Sequence, residues 1–192
     1  MNKIKDPLRK RYDCFLIWGH GLEFLNSIIE EIESSNNFRI CHIEKKKINN
    51  IKKFIKKVYS FDYAPWEHLK NKTRYLYNQK KEVCFIFVEN LNPDVEFVDV
   101  GNFRHSECMN VKKIKSSIRN KYNPQINNKI THNHIIHATD NEFQTYDMLE
   151  LAAVNKDILK ENEFLLPYFL NGYKSLNIKV IDTALLICSQ IE

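Results

Sequence analysis

Apolar residues in this chain fall into two kinds of pattern, short unbroken runs and stripes at helical spacing. Cys14-Phe15-Leu16-Ile17-Trp18 and Val83-Cys84-Phe85-Ile86-Phe87-Val88 are unbroken and rich in aromatic and β-branched residues, so both predict buried strands. Phe38-Arg39-Ile40-Cys41-His42-Ile43 alternates as a third strand, followed by a polar link at Glu44-Lys45-Lys46-Lys47. Leu22, Leu25, Ile28, Ile29 and Ile32 recur on one helical face, and so do Ile51, Phe54, Ile55 and Val58. Trp66 to Tyr77 predicts a short helix, and Val111, Ile114, Ile118 and Tyr122 predict a basic amphipathic one. A small strand at Val95–Val100 is expected before that basic helix, and a polar loop from Gln125 to Lys129 after it. His134-Ile135-Ile136-His137 then predicts a last strand, with Asp140 as the cap of a helix running to Ala153.

The order is strand, helix, strand, helices, strand, helix, strand, helix. It suits an α/β class (α+β sandwich) with a ferredoxin-like, four-stranded, mostly antiparallel sheet and helices on one face. Residues 1–13 are expected as a charged leader, 14–153 as the domain and 154–192 as a C-terminal extension. In that extension Ile178–Ile181 and Ala184–Ile187 fit a further strand and helix or a wrapping arm.

Composition narrows the setting. With 43% hydrophobic and 12% aromatic residues over 192 positions, the chain is globular rather than disordered. No apolar run is long enough to span a bilayer and the basic N-terminus lacks the apolar core of a signal peptide, so a cytoplasmic protein without a membrane partner is expected. The cysteines Cys14, Cys41, Cys84, Cys108 and Cys188 form no Cys-x-x-Cys pair and are expected as free thiols. The net charge of +5 leaves room for a phosphate-binding face, but the heavy use of Lys, Asn and Ile reads as compositional bias, so the charge alone does not establish nucleic-acid binding and nucleic acid is not an expected partner.

Candidate chemistry concentrates in Thr131-His132-Asn133-His134-Ile135-Ile136-His137-Ala138-Thr139-Asp140-Asn141, where three histidines approach a helix N-terminus. Histidine carries protons, metal or phosphate near neutral pH, and free N–H groups at a helix start favour phosphate. His132-x-His134 also fits two metal ligands on one strand face, with Asp140 or His20 completing the set. On a regular strand, however, His137 faces the opposite side, so no metal site is assigned. The plain structural alternatives are a buried hydrogen-bonded His137, an Arg119 on a solvated helix face, and Trp66 and Tyr59 as core aromatics.

His134-Ile135-Ile136-His137-Ala138-Thr139-Asp140 resembles the Asn-x-Ile-His-Gly-Ser-Asp segment of the nucleoside diphosphate kinases, and Ser116-Ser117-Ile118-Arg119-Asn120 resembles their Gly-Thr-Ile-Arg-Gly-Asp. The resemblance implies that His137 accepts a phosphoryl group and that Arg119 contacts nucleotide phosphates. It further implies that Trp66 in Ala64-Pro65-Trp66 stacks a base, that Tyr59 lies near the active site, that Arg104 matches a second phosphate-contacting Arg, and that His134 stands at the family's Asn. Ile17-Trp18-Gly19-His20-Gly21 occupies the position of the family's Ile-Lys-Pro-Asp-Gly, so Trp18 replaces a lysine that supports phosphoryl transfer, and His20 becomes a candidate acid or base. The expected ligand is a nucleotide or another phosphorylated small molecule, bound with Mg2+ carried on its phosphates, in a homo-oligomer as is common in the family. The expected function is a phosphotransferase using His137. The alternatives are a non-catalytic nucleotide-binding module, suggested by the missing lysine, and an enzyme acting on a phosphorylated sugar or sugar nucleotide.

Overall fold

The computed structural model describes residues 11–61, 66–100, 103–127, 129–130 and 134–159. The expectations for residues 1–10, for His132 and for the segment 160–192 lie outside these residues. For Trp66 and Arg104 only the backbone is described.

The elements follow in the order β1 (Arg11–Ile17), α1 (Leu25–Ser34), β2 (Phe38–Lys47), α2 (Ile51–Val58), α3 (Trp66–Tyr77), β3 (Glu82–Asn90), β4 (Val95–Val100), β5 (Phe103–Cys108), α4 (Met109–Tyr122), β6 (Gln125–Ile126), β7 (Lys129–Ile130), β8 (Ile136–Ala138) and α5 (Glu142–Ala152). Among the described residues the main sheet is four-stranded and antiparallel throughout, in the order β2-β3-β1-β8. That is the strand order of the expected ferredoxin-like arrangement, with β4–β5 and β6–β7 added as separate hairpins.

Every residue of β1 is buried, and so are the last eight of β3. Strands that are apolar on both sides must be covered on both sides. The helices accordingly lie on both faces, a correction to the one-sided expectation. Phe15, Ile17, Ile86 and Val88 pack with Ile28, Ile32, Ile114 and Ile118 of α1 and α4. Leu16, Trp18, Phe85 and Phe87 pack on the opposite face with Phe54, Ile55, Val58, Leu76 and Met148 of α2, α3 and α5.

Three element boundaries differ from the sequence expectation. β1 begins at Arg11, because the Arg11 guanidinium is satisfied by Asp13, with Nη2 to Oδ1 at 2.8 Å, and can therefore be buried. β2 runs on through Lys47, since it is a sheet edge whose outward positions tolerate lysine. The cap of α5 is Asn141, whose Oδ1 accepts from Gln144 N at 3.1 Å, while Asp140 N donates to Gln144 Oε1 at 2.7 Å. Cys14, Cys41, Cys84 and Cys108 are free thiols, as expected. Among the described residues no helix is long and apolar enough to cross a membrane.

Candidate functional site

β8 is short and lies at the sheet edge, and its position is set by side chains. Asn123, just after α4, accepts on Oδ1 from His134 N at 3.2 Å and Ile135 N at 3.0 Å, and donates from Nδ2 to Arg119 O at 2.8 Å. The strand then pairs with β1, with His137 opposite Leu16. Beyond it, Thr139 Oγ1 accepts from Cys14 N at 2.9 Å and lies 3.0 Å from Thr145 Oγ1. Gly21 is required beside this strand, since a Cβ there would lie 2.6 Å from Ile135 Cγ1.

The register with Leu16 puts the His137 side chain on the sheet face covered by α2, α3 and α5. There its ring meets Tyr59 edge-on, with centroids 5.0 Å apart. Trp18 stacks on the same Tyr59 at 6.0 Å, and Lys72 Nζ lies 4.4 Å from the Tyr59 ring centroid. His137 is 5% exposed, Tyr59 3% and Trp18 1%. Burial, reinforced by the charges of Lys115, Lys72 and Arg119, holds the His137 imidazole well below the ordinary histidine range. His137 is therefore a neutral ring at physiological pH. Among the described residues its Nε2 is buried without a hydrogen-bond partner, and the same holds for Trp18 Nε1. A buried polar atom left this way costs about 1–3 kcal/mol, so two beside one aromatic ring are a departure from ordinary core packing.

Arg119 reaches β8 from α4. Its Nε and Nη2 donate to Ile136 O at 3.2 and 3.0 Å, which covers the outer edge of the strand. Lys115 Nζ lies 3.7 Å from Asp140 Oδ1. Lys112, Lys115, Ser116, Arg119, Thr139 and Asp140 line a cavity of about 200 Å³ on the α4 side.

The sequence candidates thus separate into linked groups. His137 and Tyr59 are in contact, and Arg119 and Asp140 flank β8 on its other side. His20 and His134 meet at Tyr75, with ring centroids 5.3 and 5.6 Å away. Lys72 and Tyr75 are three apart on α3, so one helical face spans both histidine groups. The expected opposition of His134 and His137 by strand parity does not arise, because regular pairing begins only at Ile136. Glu142, in the first turn of α5, accepts from Tyr12 N at 3.2 Å. Lys72, Tyr75 and Asn123 were not among the sequence candidates. The i, i+3 spacing of Lys72 and Tyr75 is a readable signal, whereas the role of Asn123 depends on a tertiary contact with His134 and Ile135 that carries no sequence signal.

No family model and no curated protein matches the chain. Among the solved structures it is similar to are three nucleoside diphosphate kinases. One is a transition-state mimic of the Borrelia burgdorferi enzyme with bound vanadate and ADP, at 10% identity and TM-score 0.48, covering 77% of this chain and 89% of that one. The Aquifex aeolicus enzyme is 11% identical at TM-score 0.48, covering 77% and 97% of the two chains. The Encephalitozoon cuniculi enzyme is 13% identical at TM-score 0.47, covering 80% and 95%.

Proposed function

We propose that this protein binds the phosphate groups of a nucleotide or another phosphorylated small molecule and accepts a phosphoryl group on His137. The observation that carries the reading is a neutral, buried imidazole with an unbonded Nε2, lying in the field of Lys72, Lys115 and Arg119. A neutral ring nitrogen keeps a lone pair for attack, and fixed cations stabilise the charge on a transferring phosphoryl group. In that step the N–P bond forms as the bond from the terminal phosphorus to the bridging oxygen breaks. The nucleoside diphosphate leaves with the electron pair, and the bound phosphoryl group is then available to a second acceptor.

A divalent cation fits this chemistry as a companion of the ligand phosphates. Among the described residues no group of three His, Cys, Asp or Glu side chains is arranged to hold one. Asp140 lies beside Lys115, and Glu107 Oε2 is 2.6 Å from Lys112 Nζ. Mg2+ would therefore arrive on the nucleotide and reduce its charge rather than occupy a protein cage.

The test is incubation with nucleoside triphosphate labelled on the terminal phosphate. The expected result is an acid-labile label on the wild type that is lost in His137→Ala. An unlabelled wild type, or equal label on both, overturns the reading. Binding without turnover is the second reading, favoured by the closure of Trp18 and Tyr59 over His137 and by the use of the Arg119 fork on Ile136 O. Saturable nucleotide binding with no label across all common nucleoside triphosphates is its signature.

A further inference from the structure

Trp18 lies one residue past β1, where its N–H continues the ladder to Ile135 O at 3.0 Å. Leu16 is opposite His137 and Trp18 is two residues further along, so Trp18 and His137 are diagonal neighbours on one sheet face. Their side chains share Tyr59, which Trp18 stacks on and His137 meets edge-on. Both are more than nine-tenths buried, and each has a ring nitrogen without a hydrogen-bond partner among the described residues. Lys72 adds a positive charge over the same tyrosine ring.

These features have a common chemical complement. The indole Nε1–H is a donor only, so what it lacks is an acceptor. A neutral imidazole nitrogen accepts or donates according to its tautomer. A phosphate oxygen accepts from the indole, and a phosphate group beside the imidazole gains from the lysine charge. An apolar ligand would leave both nitrogens unbonded.

We propose that Trp18 is a phosphate-contacting residue, its Nε1–H donating to an oxygen of the group that His137 receives. This rests on the reading of His137 given above. Trp18 thereby favours ligands that present a terminal phosphate over those that present only a base and sugar.

The experiment follows the indole N–H resonances of the 15N-labelled full chain during titration with Mg2+-ATP and, separately, with inorganic phosphate. The chain has two tryptophans, so Trp66→Phe leaves the Trp18 signal alone and assigns it. The expected result is a saturating downfield movement of the Trp18 resonance. A shift with phosphate alone supports the phosphate group as sufficient, and a shift with ATP only supports a nucleotide as its source. Trp18→Phe keeps a ring against Tyr59 and removes the donor, and weakens ATP binding about ten- to hundredfold, as expected for a hydrogen bond to a charged group. Should that variant not fold, the wild-type titration decides alone. A labelled His137 with an unmoved Trp18 resonance overturns the proposal and leaves the His137 reading intact. A saturating Trp18 shift with no label on His137 upholds the contact and overturns transfer. Neither shift nor label overturns both.

Discussion

At His137 the same features that suit phosphoryl transfer make folding sensitive to pH. Burial first, then Lys115, Lys72 and Arg119, depress the folded-state pKa below the ordinary histidine value of 6.5. Between the folded and unfolded values the unfolded chain binds the extra proton, so stability is full above about pH 6.5 and falls as the pH drops through that window. The slope attributable to this one group approaches about 1.4 kcal/mol per pH unit. Urea denaturation from pH 7.5 to 5 is expected to show a slope that is steeper in the wild type than in His137→Gln. Parallel slopes would mean that the imidazole protonates freely in the folded protein. His137 was legible in the sequence because its neighbours carry a motif. Trp18 was legible as a substitution but not as an unbonded donor, because that depends on the Tyr59 stack, which only tertiary contact creates.

The strands and helices were more readable than the polar connections between them. β1 and β3 stand out as unbroken apolar runs, and α2 shows a complete apolar stripe of Ile51, Phe54, Ile55 and Val58. The second strand of the β4–β5 hairpin was missed because Phe103–Cys108 reads FRHSEC, which has neither an apolar run nor a strict alternation. The start of β1 was missed because Arg11 and Asp13 look exposed until Asn90 Nδ2 is seen donating to Asp13 Oδ2 at 3.0 Å and Arg11 Nη2 to Asp140 O at 3.0 Å. The end of α5 has a different irregularity. Ala153 caps the helix in the left-handed region, at φ 60° and ψ 40°, with its N–H directed to the carbonyls of Glu150 and Leu149. Glycine adopts that conformation without the Cβ penalty of about 1–2 kcal/mol. Ala153→Gly is therefore expected to stabilise the protein by about 1 kcal/mol, visible as a higher Tm in a calorimetric scan. An unchanged or lower Tm would show that the helix end relaxes out of the left-handed geometry.

For the whole molecule, the consequential difference from the one-sided sheet is that β1 and β3 serve two cores at once. Ile28 of α1 is fully buried on one face and Ile55 of α2 is fully buried on the other. The rings around His137 belong to the Ile55 side, so the candidate site exists only while that second layer is docked. Because both layers bury the same two strands, loss of either exposes a face of β1 and β3 to water, and the two are expected to melt together. Ile28→Ala and Ile55→Ala should each cost about 2–5 kcal/mol, since each deletes a fully buried branched side chain. With no shared contact across the sheet, the double variant should equal their sum to within about 0.5 kcal/mol. Far-ultraviolet dichroism, which reports all helices, and tryptophan fluorescence, which in Trp66→Phe reports Trp18 alone, should then give coincident transitions. If Ile55→Ala instead moves the fluorescence transition to lower denaturant and leaves the dichroism transition in place, the α2–α3–α5 layer opens independently of the sheet. That layer would then be the moving part through which the proposed phosphate-bearing ligand would reach His137.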